Sequence, residues 1–422
     1  MWERFKDFLI RRLVEVSSEV DYGRYDNSED VARWISMYEG SPSWCNKSTY
    51  IKDSELGSSI VSELARKVTI EMDSWVEGDE RAEFINDGYE RLVENSRYTI
   101  ERMLVHGGLI LKPFIDENDG RIGVDVVGAD SFIPLTFNKF DELIEVIFLD
   151  VVKKGRYIYT RYETHRKVDG GYLVTNEVYL GLPSSPDNRK GRMIPLSTVD
   201  EWSHLEEEHF IPGIVKPLFV YMKAPFVNSK DMSSPLGASV LSKAEGLIED
   251  HDRIYGEMMR EYHETRVRIF MPEDMAMTID GIDPEIENND TYVLLRKPGQ
   301  GGSDKIDSFS PTIRNNSYME GMEAILRRIE FNCGLAYGDL SKKDDVVKTA
   351  TEIIASRERS YNTIEDIQKR IEYAYRDLVA VMDTMYQKEF GSSNSSIVVK
   401  FNFDDSVVDE DNKLREASYE IK

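Results

Sequence analysis

The chain has 422 residues, a formal net charge of −25, 41% hydrophobic and 31% charged residues. That length allows roughly two or three domains with a sizeable core, and the acidity excludes a broad basic face wrapped by nucleic acid, although an acidic wall can surround DNA and keep it moving by repelling its phosphates. Two cysteines far apart, Cys45 and Cys333, form no disulfide framework and no zinc pattern, so a reducing, intracellular site of synthesis is expected.

In chain order, "MWERFKDFLIRRLVEV" is amphipathic but charged throughout. It lacks the apolar core of a signal peptide, and its acids break any basic face, so a packed helix is expected there rather than a membrane anchor. No stretch approaches about 18 apolar residues, so no transmembrane helix and no membrane partner are expected. Residues 1–106 read as helical: "SEDVARWISMYEG" has a Ser cap, acids in its first turn and Gly40 at its end, and "SSIVSELARKVTIEM" and "AEFINDGYERLVENSRYTIERMLVHGG" continue the pattern. Residues 107–222 read as β-rich. They begin with a hairpin about Asp119-Gly120 and continue as a meander of antiparallel strands in "ELIEVIFLDVV", "RYIYTRYETHR" and "YLVTNEVYLG", with a long loop after them.

After "SSPLG" the period changes. Val240, Ala244, Leu247, His251, Ile254 and Met258 step by four and three, predicting a helix from Ser239 to Ile269, about 30 residues and about 45 Å long. Pro272, Pro284, Pro298 and Pro311 forbid helix over the next forty or so residues, where "TYVLLR" and "KIDSFS" read as strands of a small insertion. A returning helix is expected over 316–333. A still longer one over 347–389 carries Ile364, Ile367, Ile371, Ala374, Leu378, Val381 and Met385 at heptad spacing. A projecting helix of that pattern must bury its stripe against neighbours. One more strand, "SIVVKFNF", and an acidic tail complete the chain.

Between the last two helices runs "GLAYGDLSKKDDVVKTATEI". A phosphate-cradling loop needs a glycine-rich run leading straight from a strand into Lys-Ser/Thr. Here the glycines lie about ten residues before Lys348-Thr349 and a helix lies upstream, so a helix–loop–helix connection is expected, with Gly338 as a turn, Ser341 as a candidate cap and Asp344-Asp345 favouring a helix N-terminus. Other candidate chemistry is weaker. His204 and His209 in "HLEEEH" are five apart, one too many for a helical zinc pair. "DENDGRIGVDV" lacks the calcium-loop spacing and reads as the hairpin, and "DPEIENND" lacks the calcium-loop glycine. No Ser stands in G-x-S-x-G, Cys333 reads as core, and His106, His165, His251 and His263 show no recognisable partners, with His251 on an apolar stripe. No cofactor and no metal site are expected, and the competing reading is an enzyme with an unrecognised nucleotide- or metal-dependent hydrolase site.

The stretches "WVEGDERAEFIND", "GADSFIPLTF", "SSPLGASVLSKAEGLIEDHDRIYGEMMRE", "GLAYGDLS" and "VKTATEI", in this order, resemble the portal proteins of tailed double-stranded DNA bacteriophages, in the branch of long-tailed phages of Gram-positive hosts. The resemblance implies an α+β portal fold. It places a wing at 1–233, a stem helix at 234–270 and a small α/β clip at 271–312, which docks the packaging motor and later the head–tail adaptor. A returning stem helix at 313–333, a tunnel loop at 334–347, a long kinked helix at 348–389 and the start of a crown at 390–422 complete the implied order. It further implies that Gly338, Ser341, Lys342, Lys343, Asp344, Asp345, Val346, Val347 and Lys348 face DNA in the channel, with the two glycines, Gly334 and Gly338, as hinges, and that Asp283, Pro284, Glu285, Glu287, Arg296 and Lys297 lie in the docking clip. The expected assembly is a ring of about twelve copies, or about thirteen in isolation. It would stand at the capsid's portal vertex and be made in the host bacterial cytoplasm. Its expected partners are double-stranded DNA bound without sequence preference, the terminase large subunit, the head–tail adaptor, the scaffold and the major capsid protein. The chain itself would not be an enzyme, ATP hydrolysis being the terminase's.

Overall fold

The computed structural model describes residues 27–45, 50–116, 119–181, 191–265, 267–278, 281–282, 291–295, 306–310, 312–342, 350–391 and 397–403. The chain divides into two compact units. One comprises Met1–Pro42, Glu55–Glu245 and Glu330–Lys422, and the other Ser43–Ser54 and Gly246–Ile329.

The first unit opens with helices α1 (Ser28–Tyr38) and α2 (Leu56–Thr69). In α2, Ile60, Val61, Leu64, Ala65 and Val68 recur at three- and four-residue spacing and are all buried, which is why this polar-flanked segment folds as a core helix. The predicted run of helix is then interrupted by β1 (Met72–Glu77). Its register against a strand more than three hundred residues away decides this, because local pattern alone cannot select a two-stranded pairing over another helical turn. Helix α3 (Glu80–Glu94) is capped by Asp79, whose carboxylate accepts from the Arg81 backbone N–H, and α4 (Ser96–His106) comes next.

Strands β2 (Gly108–Ile115) and β3 (Ile122–Gly128) form the expected hairpin. The meander is a six-stranded sheet of β4 (Phe132–Phe137), β5 (Leu143–Lys154), β6 (Tyr157–Val168), β7 (Gly171–Gly181) and β8 (Arg192–Ile194), with β9 (Glu208–Pro212) also pairing with β7. Strand β10 (Val220–Lys223) returns to the free edge of β2. Ile110, Phe132, Leu143, Val146, Phe148 and Phe219 form one apolar cluster joining these strands, and Val178, Leu196, Val199 and Trp202 form another. The long loop expected after β7 falls outside the described residues over 182–190.

The helix expected from Ser239 to Ile269 is shorter. Ser239 caps a 3-10 turn over Val240–Lys243, and α5 spans Glu245–Glu264, 20 residues. Arg268–Pro272 is instead strand β11, because the "RIFMP" run leading into a proline suits an extended chain. In the second unit β11 lies between β14 (Tyr292–Leu295), which is parallel to it, and β15 (Asp307–Phe309), which is antiparallel, while β12 (Met277–Thr278) and β13 (Gly281–Ile282) form a short pair. Of these, β14 and β15 are the strands expected of the proline-broken insertion, while β12 and β13 were not expected. Helix α6 (Asn315–Cys333) returns from it, with Arg314 and Tyr318 both reaching Glu261 of α5 at 2.7 and 2.8 Å.

The longest helix, α7 (Ala350–Phe390), runs 41 residues. Its heptad residues Ile367, Ile371, Ala374, Leu378 and Val381 are buried within the same chain. The stripe thus needs no neighbouring copy to cover it, contrary to the expectation from sequence, because α2, α3, β2 and β10 are folded against it. Buried Arg81 ties α3 to α7 through Asp383 at 3.0 Å. Strand β16 (Val398–Phe403) pairs with β1 in the first unit, and 404–422, the rest of the segment assigned to a crown, lies outside the described residues. Among the described residues no helix is long and apolar enough to cross a membrane.

Candidate functional site

The loop between α6 and α7 is built from its helix end outward. Helix α6 stops at Gly334, which has φ 74°, and the Leu335 N–H returns to the Glu330 carbonyl at 2.9 Å. A Cβ at Gly334 would stand 2.2 Å from Thr363 Oγ1 of α7, so both the backbone conformation and the close approach require glycine.

Glu330 is fully buried, and its carboxylate organises the next turn. Oε1 accepts from the backbone N–H groups of Gly338, Leu340 and Ser341 at 3.0, 2.7 and 2.8 Å, and Oε2 accepts the Ser341 hydroxyl at 2.9 Å. Asp339 Oδ2 accepts from the Ala336 N–H at 2.9 Å and pairs with Lys67 of α2. The Arg359 guanidinium of α7 lies 4.4 Å from the Phe331 ring centroid and 5.2 Å from that of Tyr337. Cys333 is buried beside the Val240 carbonyl at 3.6 Å, and burial pushes its thiol up to about 12, which removes it as a nucleophile.

Of the residues assigned to this loop from sequence, Gly338, Ser341 and Lys342 are described; Lys343, Asp344, Asp345, Val346, Val347 and Lys348 lie outside the described residues. Gly338, with φ 95°, is a turn position as expected; its N–H is held by Glu330, and at Gly334 a Cβ would meet Thr363. Ser341 is buried and spends its hydroxyl on Glu330 rather than on a helix cap. Lys342, immediately after it, is exposed. Glu330 does not stand out in the sequence. Its signal is a lone acid in "RRIEFNCG", three residues before Cys333 on the helix face that also buries Ile329. The clip residues Asp283, Pro284, Glu285, Glu287, Arg296 and Lys297 also lie outside the described residues, between β13 and β15.

Histidines that lacked partners in the sequence have them in space. His165 Nε2 lies 2.6 Å from Glu163 Oε1 and its Nδ1 3.2 Å from the Tyr172 hydroxyl; burial pushes the imidazole down. For Glu163, burial alone would raise the carboxyl, but the hydrogen bond from His165, with Lys112 and Arg161, holds it well below the usual carboxylate range. His106 Nδ1 accepts the Ala129 N–H at 3.0 Å, and burial lowers it despite Asp130 nearby. His209 is exposed beside Glu206 at 2.9 Å. Among the described residues no group of three or more His, Cys, Asp and Glu could hold a metal ion.

In the second unit Ser54, His251 and Asp252 come together. Ser54 Oγ is 3.1 Å from His251 Nδ1 and 2.6 Å from Asp252 Oδ1, and Asp252 Oδ2 also takes the Trp44 indole N–H at 2.8 Å. A nucleophile–base–acid relay needs the histidine between hydroxyl and carboxylate. Here the hydroxyl meets the carboxylate directly, so the group is a tie holding 43–54 to α5.

A sequence model for the family described as phage portal protein, SPP1 Gp6-like, matches residues 62–418. Similar solved structures include a chain from the virion of a native gene transfer agent particle, with TM-score 0.47, 12% identity and coverage of 92% of this chain and 89% of that chain. The neck of the empty particle computed with C6 symmetry has TM-score 0.46 and 13% identity, covering 91% and 88%, and the neck of the native particle computed with C12 symmetry has 0.47 and 12%, covering 93% and 90%. No curated protein matches the chain by sequence.

Proposed function

The chain belongs to the SPP1 Gp6-like family of phage portal proteins, and on that premise we propose how its parts perform a portal's work. About twelve copies form a ring at one capsid vertex, through which double-stranded DNA enters during packaging and leaves during ejection. In this reading 1–233 is the wing, α5 and α6 are the stem, 271–312 is the clip that docks the terminase large subunit and then the head–tail adaptor, and 334–347 is the loop facing DNA. The scaffold and the major capsid protein contact the ring's outer body. The chain performs no catalysis; ATP is hydrolysed by the terminase.

The observation that carries the reading is the family match together with the order of elements inside it: helix α5, a small β insertion, helix α6, a seated loop and the long α7. An acidic ring with lysines recurring at the loop suits weak, salt-sensitive contact with phosphates, because a channel must let DNA move.

Averaged images of the purified protein down its assembly axis test the ring. A closed ring of about twelve or thirteen copies with a central hole is expected; a stable monomer or dimer argues against the reading. The loop is tested separately by the double variant Lys342→Glu, Lys343→Glu. Rings should still assemble, while packaging efficiency or DNA retention changes. Normal packaging of full-length DNA would remove the DNA-facing role of these lysines.

A further inference from the structure

We propose that Glu330 is a positioning residue for the loop: its buried carboxylate holds residues 338–341 as a fixed seat, and that seat sets where Lys342 stands. The inference rests on the reading of the loop as DNA-facing and adds the group that aims it.

Four donors from 338–341 converge on this one carboxylate, three N–H groups sharing Oε1 and the Ser341 hydroxyl on Oε2. An ion buried so completely is tolerated only with such partners. The dependence is mutual, since without Glu330 three backbone N–H groups in the seat lose their acceptor. The seat is held from other sides as well. Asp339 links it to Lys67 of α2, and Arg359 of α7 spans Phe331 and Tyr337. Three helices thus converge on one short turn, and Lys342 is the first exposed side chain after it. An acid present only to end α6 would not need this, because the Leu335 N–H and Gly334 already complete that end.

The test is Glu330→Gln in the full chain, assembled as a ring, with peptide-resolved hydrogen exchange and a packaging assay. Glutamine keeps the shape but loses the charge that strengthens all four bonds, and it turns its NH₂ toward the Ser341 hydroxyl, which must then accept rather than donate. Exchange over 338–341 should rise by about tenfold or more, with exchange in α2, α6 and α7 unchanged and packaging impaired although rings form. Unchanged exchange over 338–341 overturns the seat. Faster exchange with normal packaging overturns the positioning role, provided that the Lys342→Glu, Lys343→Glu variant is impaired; if that variant also packages normally, the failure belongs to the DNA-facing reading. Should Glu330→Gln not assemble, Ser341→Ala removes only the bond to Oε2. It should raise exchange over 338–341 more modestly, and no rise there would likewise overturn the proposal.

Discussion

At the scale of single residues, side chains that look unremarkable in the sequence carry most of the local constraint. Gly334 combines φ 74° with a Cβ position 2.2 Å from Thr363 Oγ1. Gly334→Ala should therefore cost about 1–3 kcal/mol, read as a lower midpoint in denaturant. Adding Thr363→Ala should recover only part of the loss, because it relieves the contact and not the backbone; full recovery would show that φ is not at issue. The buried histidines make a pH prediction. His106, His165 and His251 are all lowered, first by burial, so the unfolded chain takes up their protons before the folded one does. Their contribution is complete above about pH 6.5 and is lost as pH falls below it. Glu163, also depressed, acts in the same direction at lower pH, below the ordinary glutamate range. Melting temperature should fall between about pH 7.5 and 5.5, and less steeply in His165→Gln. A flat profile over that range would mean these imidazoles are not held neutral.

At the scale of elements, the periodic segments were the legible ones. The meander β5–β7, the hairpin about Gly120 and helices α6 and α7 come directly from alternation and from three- and four-residue spacing. What misled was the assignment of cover. The heptad stripe of α7 reads like a seam between copies, yet its own chain buries it. The helical reading of the N-terminal region missed β1, since its partner β16 lies at the far end of the chain. Arg81 shows how such distant packing is held, being buried with Asp383 of α7 at 3.0 Å and Asp79 at 3.3 Å. Asp383→Asn leaves a buried guanidinium with one carboxylate fewer, and should cost about 1–3 kcal/mol, measured by chemical denaturation. A change within error would mean that the other partners of Arg81, Asp79 among them, satisfy it without Asp383.

At the scale of the whole molecule, charge is the dominant fact. Each copy carries −25, so copies brought into a ring repel one another unless counterions or local pairing intervene. Raising ionic strength from about 0.01 M to about 1 M shortens the screening length from about 30 Å to about 3 Å. Ring assembly should accordingly be promoted by salt, seen by light scattering at fixed protein concentration. Dissociation of rings by salt would instead show that opposite charges across the contact hold them.

The fold class and most of the strongly periodic elements were legible in the linear text, because periodicity and turn residues are local properties, and the family resemblance lay in particular stretches and their order. The candidate site was legible as a loop of two glycines and paired lysines between two helices. What that loop is fastened to came from the folded chain. The acceptor for Ser341 is Glu330, the neighbour of Gly334 is Thr363, and the partner of Asp339 is Lys67. Burial turns a single acid in a helix into the group that must satisfy every donor around it, and which donors those are depends on how the chain closes in space.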